Sequence, residues 1–321
     1  MRDFENRIAK VFRHRRRWAR RVSLTAFRVY DRDIPGHRCA VDWYDGHAVV
    51  TSYPSSHPGK KIPDASPGAI QRSVARALEI EESKVFVKVR VPRSRGRQQY
   101  QRLDERGVVA VVEENGLRLV ANLSDFNDTG LFLDHRETRA RLREEASGRS
   151  FLNLFCYTGS FTLAAAAGGA SSTTSVDLSK SYLEWARDNL AKNALDGPEH
   201  EMIRADVLRW LRQNRDRRYE LAVLDPPSFS VSKKMTTDLR IDRDHPRLIA
   251  DTLALLSPAG ILYFSTNYRG FELDEARIEQ TAREVGVAKP ASIEETTPGS
   301  IPPDFRDKGV HRCFRVIAGG R

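Results

Sequence analysis

The stretch Ser150-Phe-Leu-Asn-Leu-Phe-Cys-Tyr-Thr-Gly159, with the small-residue run Ser160 to Gly169 and then Ser172-Thr-Thr-Ser-Val-Asp177, sets the fold of this chain. An apolar run that breaks at a glycine, restarts as an Ala-rich helix and returns as a β-prone run ending in a carboxylate has the pattern of a nucleotide-binding β-α-β unit. Asp177 lies 18 residues beyond Gly159, near the spacing at which a carboxylate on the second strand tip holds both ribose hydroxyls of a nucleoside cofactor. A dinucleotide turn uses three glycines so that its backbone can approach a pyrophosphate, and Tyr157-Thr-Gly-Ser160 offers one. A smaller nucleoside such as S-adenosylmethionine is therefore expected.

Beyond Asp177 the same alternation continues. His200 to Asp206 reads as a third strand ending in an acid, Val207 to Arg215 as a helix, and Tyr219 to Asp225 as a fourth strand that runs into Asp225-Pro-Pro-Ser-Phe229. Two prolines fix φ and remove donors, so the chain must turn rigidly at the carboxyl edge, where open α/β sheets bind ligands. A helix from His245 to Leu256, a turn at Ser257-Pro-Ala-Gly260 and a fifth strand from Ile261 to Asn267 complete an alternation that calls for a mostly parallel sheet. Plainer readings stand beside these. Asp177 and Asp206 each precede a helix and suit N-caps, and Asp225-Pro-Pro can be a rigid turn alone. Four acid- or Gly-tipped strand ends at one sheet edge are harder to obtain from packing needs.

The motifs Asn153 to Ser160, Ser172 to Ser179, Tyr182-Leu-Glu-Trp-Ala186, Asp225 to Phe229 with Ser232-Lys233, and Phe264-Ser265 with Asn267 and Arg269-Gly-Phe271 resemble the guanine-N7 half of the fused bacterial 23S rRNA methyltransferases. The likeness is loose around Arg97 to Gln101, strong through Asp128 to Arg136, and extends from about Asp3 to a last strand at Val310 to Ala318. It implies an α/β fold, a Rossmann-like seven-stranded methyltransferase sheet preceded by a small α+β domain. It also implies S-adenosylmethionine as cofactor and 23S rRNA, or a large-subunit assembly intermediate, as partner. The 321 residues leave no room for the guanine-N2 half, so none is expected.

Composition agrees with an RNA partner. Lys and Arg number 53 against 43 Asp and Glu, a formal charge of +10, and the excess is clustered. Lys10 to Arg21, with Arg13, Arg15, Arg16 and Arg17, is basic without an acid, and Arg90 to Arg106 holds Arg93, Arg95 and Arg97 beside Tyr100. Such runs neutralise phosphates, although a solvated helix face reads the same way and a membrane-surface helix is a third option. No apolar run approaches the roughly 20 residues that span a bilayer, and no signal core opens the chain, so a cytoplasmic monomer is expected. Three scattered cysteines exclude a disulfide framework, and no Cys/His spacing suggests a metal.

Ahead of the catalytic part, Cys39 to Tyr44 and Ala48 to Tyr53 bracket Asp45-Gly46, a two-residue hairpin signal. A helix from Pro67 to Leu78 and strands at Lys84 to Arg90, Val108 to Glu113 and Leu117 to Leu123 follow, giving a small α+β domain. The expected divisions are a basic helical segment over 1–35, an RNA-binding domain over 36–128 and the methyltransferase domain over 129–321. The resemblance implies that the front domain helps clamp RNA and that Phe132, His135 and Arg136 come close to the cofactor.

The acceptor atom follows from chemistry. Carbon C5 of cytosine is a poor nucleophile and needs a cysteine to add to the ring first. Related C5 enzymes share Asp-Pro-Pro but carry a Cys after the fourth or fifth strand, where this chain has Pro227-Ser-Phe and Ser265-Thr-Asn267. Guanine N7 is already a lone-pair nucleophile, so the missing cysteine favours N7 over C5. A protein or small-molecule methyltransferase would not need the basic runs. The resulting roles place Asp177 on the ribose and Leu178 and Ser179 beside it. Asp206 with the Val207 amide takes the adenine edge, and Asn153, Phe155, Tyr157, Thr158, Gly159 and Ser160 line the methionine moiety. Asp225, Pro226 and Pro227 shape the transfer pocket, Asp225 also touching the cofactor. Phe229 stacks on a flipped base, Asn267 hydrogen-bonds it, and Lys233 and Lys234 reach phosphate.

Overall fold

The computed structural model describes residues 1–53, 65–90, 106–230, 238–305 and 309–320, in two compact units, Met1–Leu133 and Asp134–Arg321. Arg93, Arg95, Arg97, Lys233 and Lys234 lie outside the described residues.

The first unit opens with α1 (Arg2–Arg21), whose Phe4, Ile8, Phe12 and Ala19 recur at helical spacing and are buried. The segment expected to stand apart as a helix is therefore part of this unit, and it also contains a strand, β1 (Ala26–Asp31). Together β1, β2 (Cys39–Tyr44) and β3 (His47–Ser52) form an antiparallel meander. The β2–β3 turn has both central residues left-handed, Asp45 at φ 38° and Gly46 at φ 91°, the geometry for which Asp-Gly is selected. Helix α2 (Pro67–Leu78) starts at Ser66, whose hydroxyl accepts from the Ala69 amide, and carries the chain over to β4 (Val85–Val89), parallel to β3. A hairpin, β5 (Val109–Glu114) and β6 (Leu117–Asn122), ends the unit.

The second unit runs α3 (Arg136–Glu145), β7 (Ser150–Leu154), α4 (Ser160–Ala167), β8 (Ser172–Asp177), α5 (Lys180–Ala191), β9 (His200–Arg204), α6 (Val207–Gln213) and β10 (Tyr219–Leu224). A two-stranded ribbon follows, β11 (Phe229–Ser230) against β12 (Leu239–Arg240). Then come α7 (Ile241–Leu253), β13 (Leu256–Thr266), α8 (Glu275–Glu284), β14 (Ser292–Glu295), the single turn α9 (Thr297–Ser300) and β15 (Arg312–Ile317). The seven-stranded sheet has the order β14-β15-β13-β10-β7-β8-β9, and its pairings are parallel except for those of β15. Leu152, Leu154, Ala222, Leu224, Leu262 and Phe264 from its central strands are buried in one cluster and Phe151, Leu221, Val223 and Tyr263 in another, as befits a sheet covered on both faces.

Two local expectations are corrected. Helix α7 begins at Ile241, not His245, because Asp244 accepts a hydrogen bond from the Arg240 amide and so supports an extra turn ahead of Pro246. Ser257 to Gly260 is not a separate turn. It is an irregularity inside β13, where partners of β10 jump from Leu256 to Ile261 and Ala259 takes φ 60°.

Candidate active site

The chain leaves β7 outward through β8 and β9 and returns to the other side at β10, so the carboxyl ends of β7 and β10 flank the point where connections diverge, the place where open α/β sheets bind ligands. The β7 turn is held in unusual backbone. Phe155 (φ 58°), Tyr157 (φ 50°) and Gly159 (φ 72°) are all left-handed. At Gly159 a Cβ would lie 2.6 Å from the Ala186 Cβ, so the absence of a side chain lets α5 approach the start of α4.

Asp177 ends β8 half-buried. Its Oδ2 accepts from the Tyr157 amide at 3.0 Å and its Oδ1 from the Ser179 amide at 2.8 Å, so one carboxylate ties the β7 turn to the β8 tip. The N-cap of α5 is Ser179, whose hydroxyl accepts from the Tyr182 amide. Burial raises the Asp177 pKa, against the amides of Ser179, Tyr157 and Leu178, which favour the carboxylate. Asp206 is the N-cap of α6 and accepts from the Leu208 amide at 3.0 Å, the plainer of its two readings. Val207 is buried beneath it, while Leu178 is partly exposed.

At the β10 tip, Asp225 Oδ1 accepts from Ser265 Oγ at 2.6 Å, and Oδ2 is 3.9 Å from His135 Nε2. Pro226 is buried and Pro227 partly so. Phe229 is 40% exposed, and Asn267 at the end of β13 is exposed with its Oδ1 2.5 Å from Ser228 Oγ. His135 is buried, and burial, followed by the neighbouring His311, holds it below the usual histidine range as a neutral imidazole. The two rings stack at 4.2 Å, and His311 bridges Asp134 Oδ2 (3.1 Å) and Ser300 Oγ (2.8 Å). Asp134, His135 and His311 bring three ligand-type atoms within 4.8 Å of one another. The stacked rings hold their in-plane nitrogen lone pairs in two separate, near-parallel planes, and both His311 nitrogens already have partners, so the trio reads as a hydrogen-bonded brace.

Several expected contacts are committed elsewhere. Asn153 is buried and donates its amide to Thr162 Oγ1, itself 2.7 Å from Ser175 Oγ, a network that joins β7, α4 and β8. The Arg136 guanidinium is buried against Asp304 at 2.9 Å, an ion pair that satisfies a charge which burial would otherwise penalise. Thr158 is buried and its carbonyl accepts from Asn189. Phe155, Tyr157 and Ser160 are partly exposed, and the Tyr157 ring meets Tyr182 edge-on. Phe132 belongs to the first unit and is 37% exposed. There Arg13, Arg16 and Arg17 are exposed on α1, whereas Arg15 turns inward and donates to the Arg28 carbonyl at 2.6 Å. Sequence reading placed Ser228, Ser265 and Asp134 inside matched motifs without a role and passed over Ser300 and His311, because a lone Ser, Asp or His in a strand or loop carries no spacing signal.

The donor set fits a phosphate-free nucleoside. The β7 turn from 153 to 160 holds no Lys or Arg, and carboxylates stand at the tips of β8 and at the start of α6, where a diol and an exocyclic amine need acceptors. Residues 33–310 match the S-adenosylmethionine-dependent methyltransferase family. The ribosomal RNA large subunit methyltransferase K of Neisseria meningitidis is 42% identical over 98% of this chain and 86% of its own length. The K/L enzyme of Hahella chejuensis is 43% identical over 98% of this chain, which spans 42% of that longer relative. Among solved structures, a SAM-dependent methyltransferase from Streptococcus mutans aligns at TM-score 0.73 and 23% identity, covering 98% of this chain and 81% of the other. A methyltransferase solved with SAH aligns at 0.72 and 23%, covering 98% and 82%; both likenesses concern the fold. The fold, the strand-tip carboxylates and these matches together place the chain in the S-adenosylmethionine-dependent methyltransferase family, with that molecule as its cofactor.

Proposed function

We propose that the chain methylates ribosomal RNA of the large subunit, at N7 of a guanine in 23S rRNA, as a cytoplasmic monomer. The names of its relatives support the RNA class, and one observation carries the choice of atom. Cys39, Cys156 and Cys313 are all buried, and burial pushes their thiols up, to about 12 for Cys39, about 11 for Cys313 and well above the ordinary range for Cys156. A thiolate adding to cytosine C6 has to be accessible and ionised. None of the three is either, whereas N7 needs no covalent adduct and no proton removed.

Bound S-adenosylmethionine supplies an electrophilic methyl group for in-line displacement. The residues' task is then alignment and exclusion of water. Asp177 takes the ribose diol while keeping the Tyr157 turn in place, and Asp206 with the Val207 amide takes the adenine edge. Tyr157 to Ser160 line the methionine arm, Asp225 to Pro227 form the rigid floor of the transfer pocket, and Phe229 stacks on the extruded base. Arg13, Arg16 and Arg17, with Lys233 and Lys234, meet RNA phosphates.

The test is product chemistry. Purified protein, S-adenosylmethionine and deproteinised 23S rRNA should give RNA that breaks at one guanine after borohydride reduction and aniline, because an N7 methyl puts a fixed charge on the purine. A methylated product resistant to aniline, formed only while one particular cysteine is intact, would point to C5 and sink the N7 reading.

A further inference from the structure

Two serine hydroxyls decide which hydrogen-bonding atoms this edge of the sheet presents. Ser265 Oγ donates to Asp225 Oδ1, which leaves Oδ2 of a carboxylate that is 24% exposed as an acceptor. Ser228 Oγ lies 2.5 Å from Asn267 Oδ1, a separation that suits O–H···O and is too short for N–H···O. The hydroxyl therefore engages the oxygen end of the carboxamide. Asn267 Nδ2 is left to donate, and no described residue accepts from it. Ser228 is itself fixed. Its carbonyl accepts from the Ile241 amide at 3.1 Å, and the next two residues pair with Arg240 and Leu239.

A carboxamide is nearly symmetric in shape, so an unrestrained Asn offers either end to a ligand. We propose that Ser228 is a positioning residue that fixes Asn267 as a donor, and that Asn267 Nδ2 with Asp225 Oδ2 reads the O6 and N1–H edge of guanine. The inference rests on the guanine-N7 reading above and adds the base edge that is recognised. N7 cannot supply this selection, since adenine carries the same lone pair there. At position 6 and N1, however, adenine and 2,6-diaminopurine present a donor and a bare acceptor, which would face a donor and a carboxylate. Polar groups set against like partners once a base covers them reject a substrate far more strongly than a missing methyl does.

The experiment uses 23S rRNA ligated so that the methylated nucleotide is guanine, inosine or 2,6-diaminopurine, with wild type, Ser228→Ala and Asn267→Asp. Inosine keeps O6 and N1–H, so wild type should methylate it within a few-fold of guanine while disfavouring diaminopurine by at least about 30-fold. Ser228→Ala should lower kcat/KM for guanine by about 3- to 10-fold, the effect of one hydrogen bond, and should shrink the guanine-to-diaminopurine ratio. Asn267→Asp, which exchanges the donor for an acceptor, should lose more guanine activity than Ser228→Ala. S-adenosylmethionine affinity, measured by calorimetry, should be the same in all three proteins and so report intact folding. If wild type methylates guanine and diaminopurine equally at N7, the edge assignment is overturned. If wild type discriminates and Ser228→Ala discriminates equally, the role of Ser228 is overturned. Methylation at another atom or base would remove the guanine-N7 reading, and this inference with it, a result visible in wild type before any variant is compared.

Discussion

At the scale of single residues, the Asp177 carboxylate accepts a backbone amide on each oxygen at the tip of β8, where the proposed ribose contact lies. Asp177→Ala should therefore weaken S-adenosylmethionine binding by about 1.5–3 kcal/mol, the range for hydrogen bonds to charged groups. Calorimetry at neutral pH checks it, and unchanged affinity would remove Asp177 from the site. Arg136 and Asn153 show how burial acts on polar side chains: each is obliged to find a protein partner first, Asp304 and Thr162 respectively.

Elements impose their own constraints. The contact between α4 and α5 depends on Gly159, where a methyl would meet both a left-handed φ and the Ala186 side chain. Gly159→Ala should destabilise the protein by about 1–3 kcal/mol in urea unfolding. Adding Ala186→Gly should restore the packing part but not the backbone part; a double variant no better than the single one would show that the close approach is unimportant. On α1 the structure divides the basic run. Replacing Arg13, Arg16 and Arg17 by Ala should flatten the salt dependence of RNA binding by roughly 0.7–0.9 for each phosphate that is no longer neutralised, whereas Arg15→Ala should reduce stability because its partner is the Arg28 carbonyl. An equal salt effect from Arg15→Ala would contradict that division.

For the whole molecule, buried histidines contribute to the acid side of stability. Burial lowers His135 and His245, and His245 is fixed as a neutral ring by contacts to the Ile241 carbonyl and the Asp274 amide. A histidine whose pKa is depressed on folding binds fewer protons folded than unfolded. Its contribution is thus complete above the unfolded value of about 6.5 and is lost as pH falls from there through the depressed one. The urea midpoint should drop between pH 7.5 and 5.5, and His245→Gln should make that drop shallower; a flat profile in wild type would contradict the assignment. How far the sequence alone reaches follows from the range of the forces involved. The alternation of strands and helices, the Asp-Gly hairpin, the helix start at Pro67 and the acid-tipped strand ends are local signals, fixed by periodicity and by the φ preferences of Gly, Pro and Asp, and each is legible. β1 falls inside residues 1–35, where the basic run of α1 dominates the reading, and β14, four residues with partly or fully exposed side chains, has almost no apolar pattern to show. Which oxygen of Asp225 is occupied, which end of Asn267 is presented, and that His311 stacks on His135 are pairings across 40, 39 and 176 residues of chain. Such pairings depend on distance in space, which only the packed sheet creates, and no local preference of the chain could have set them.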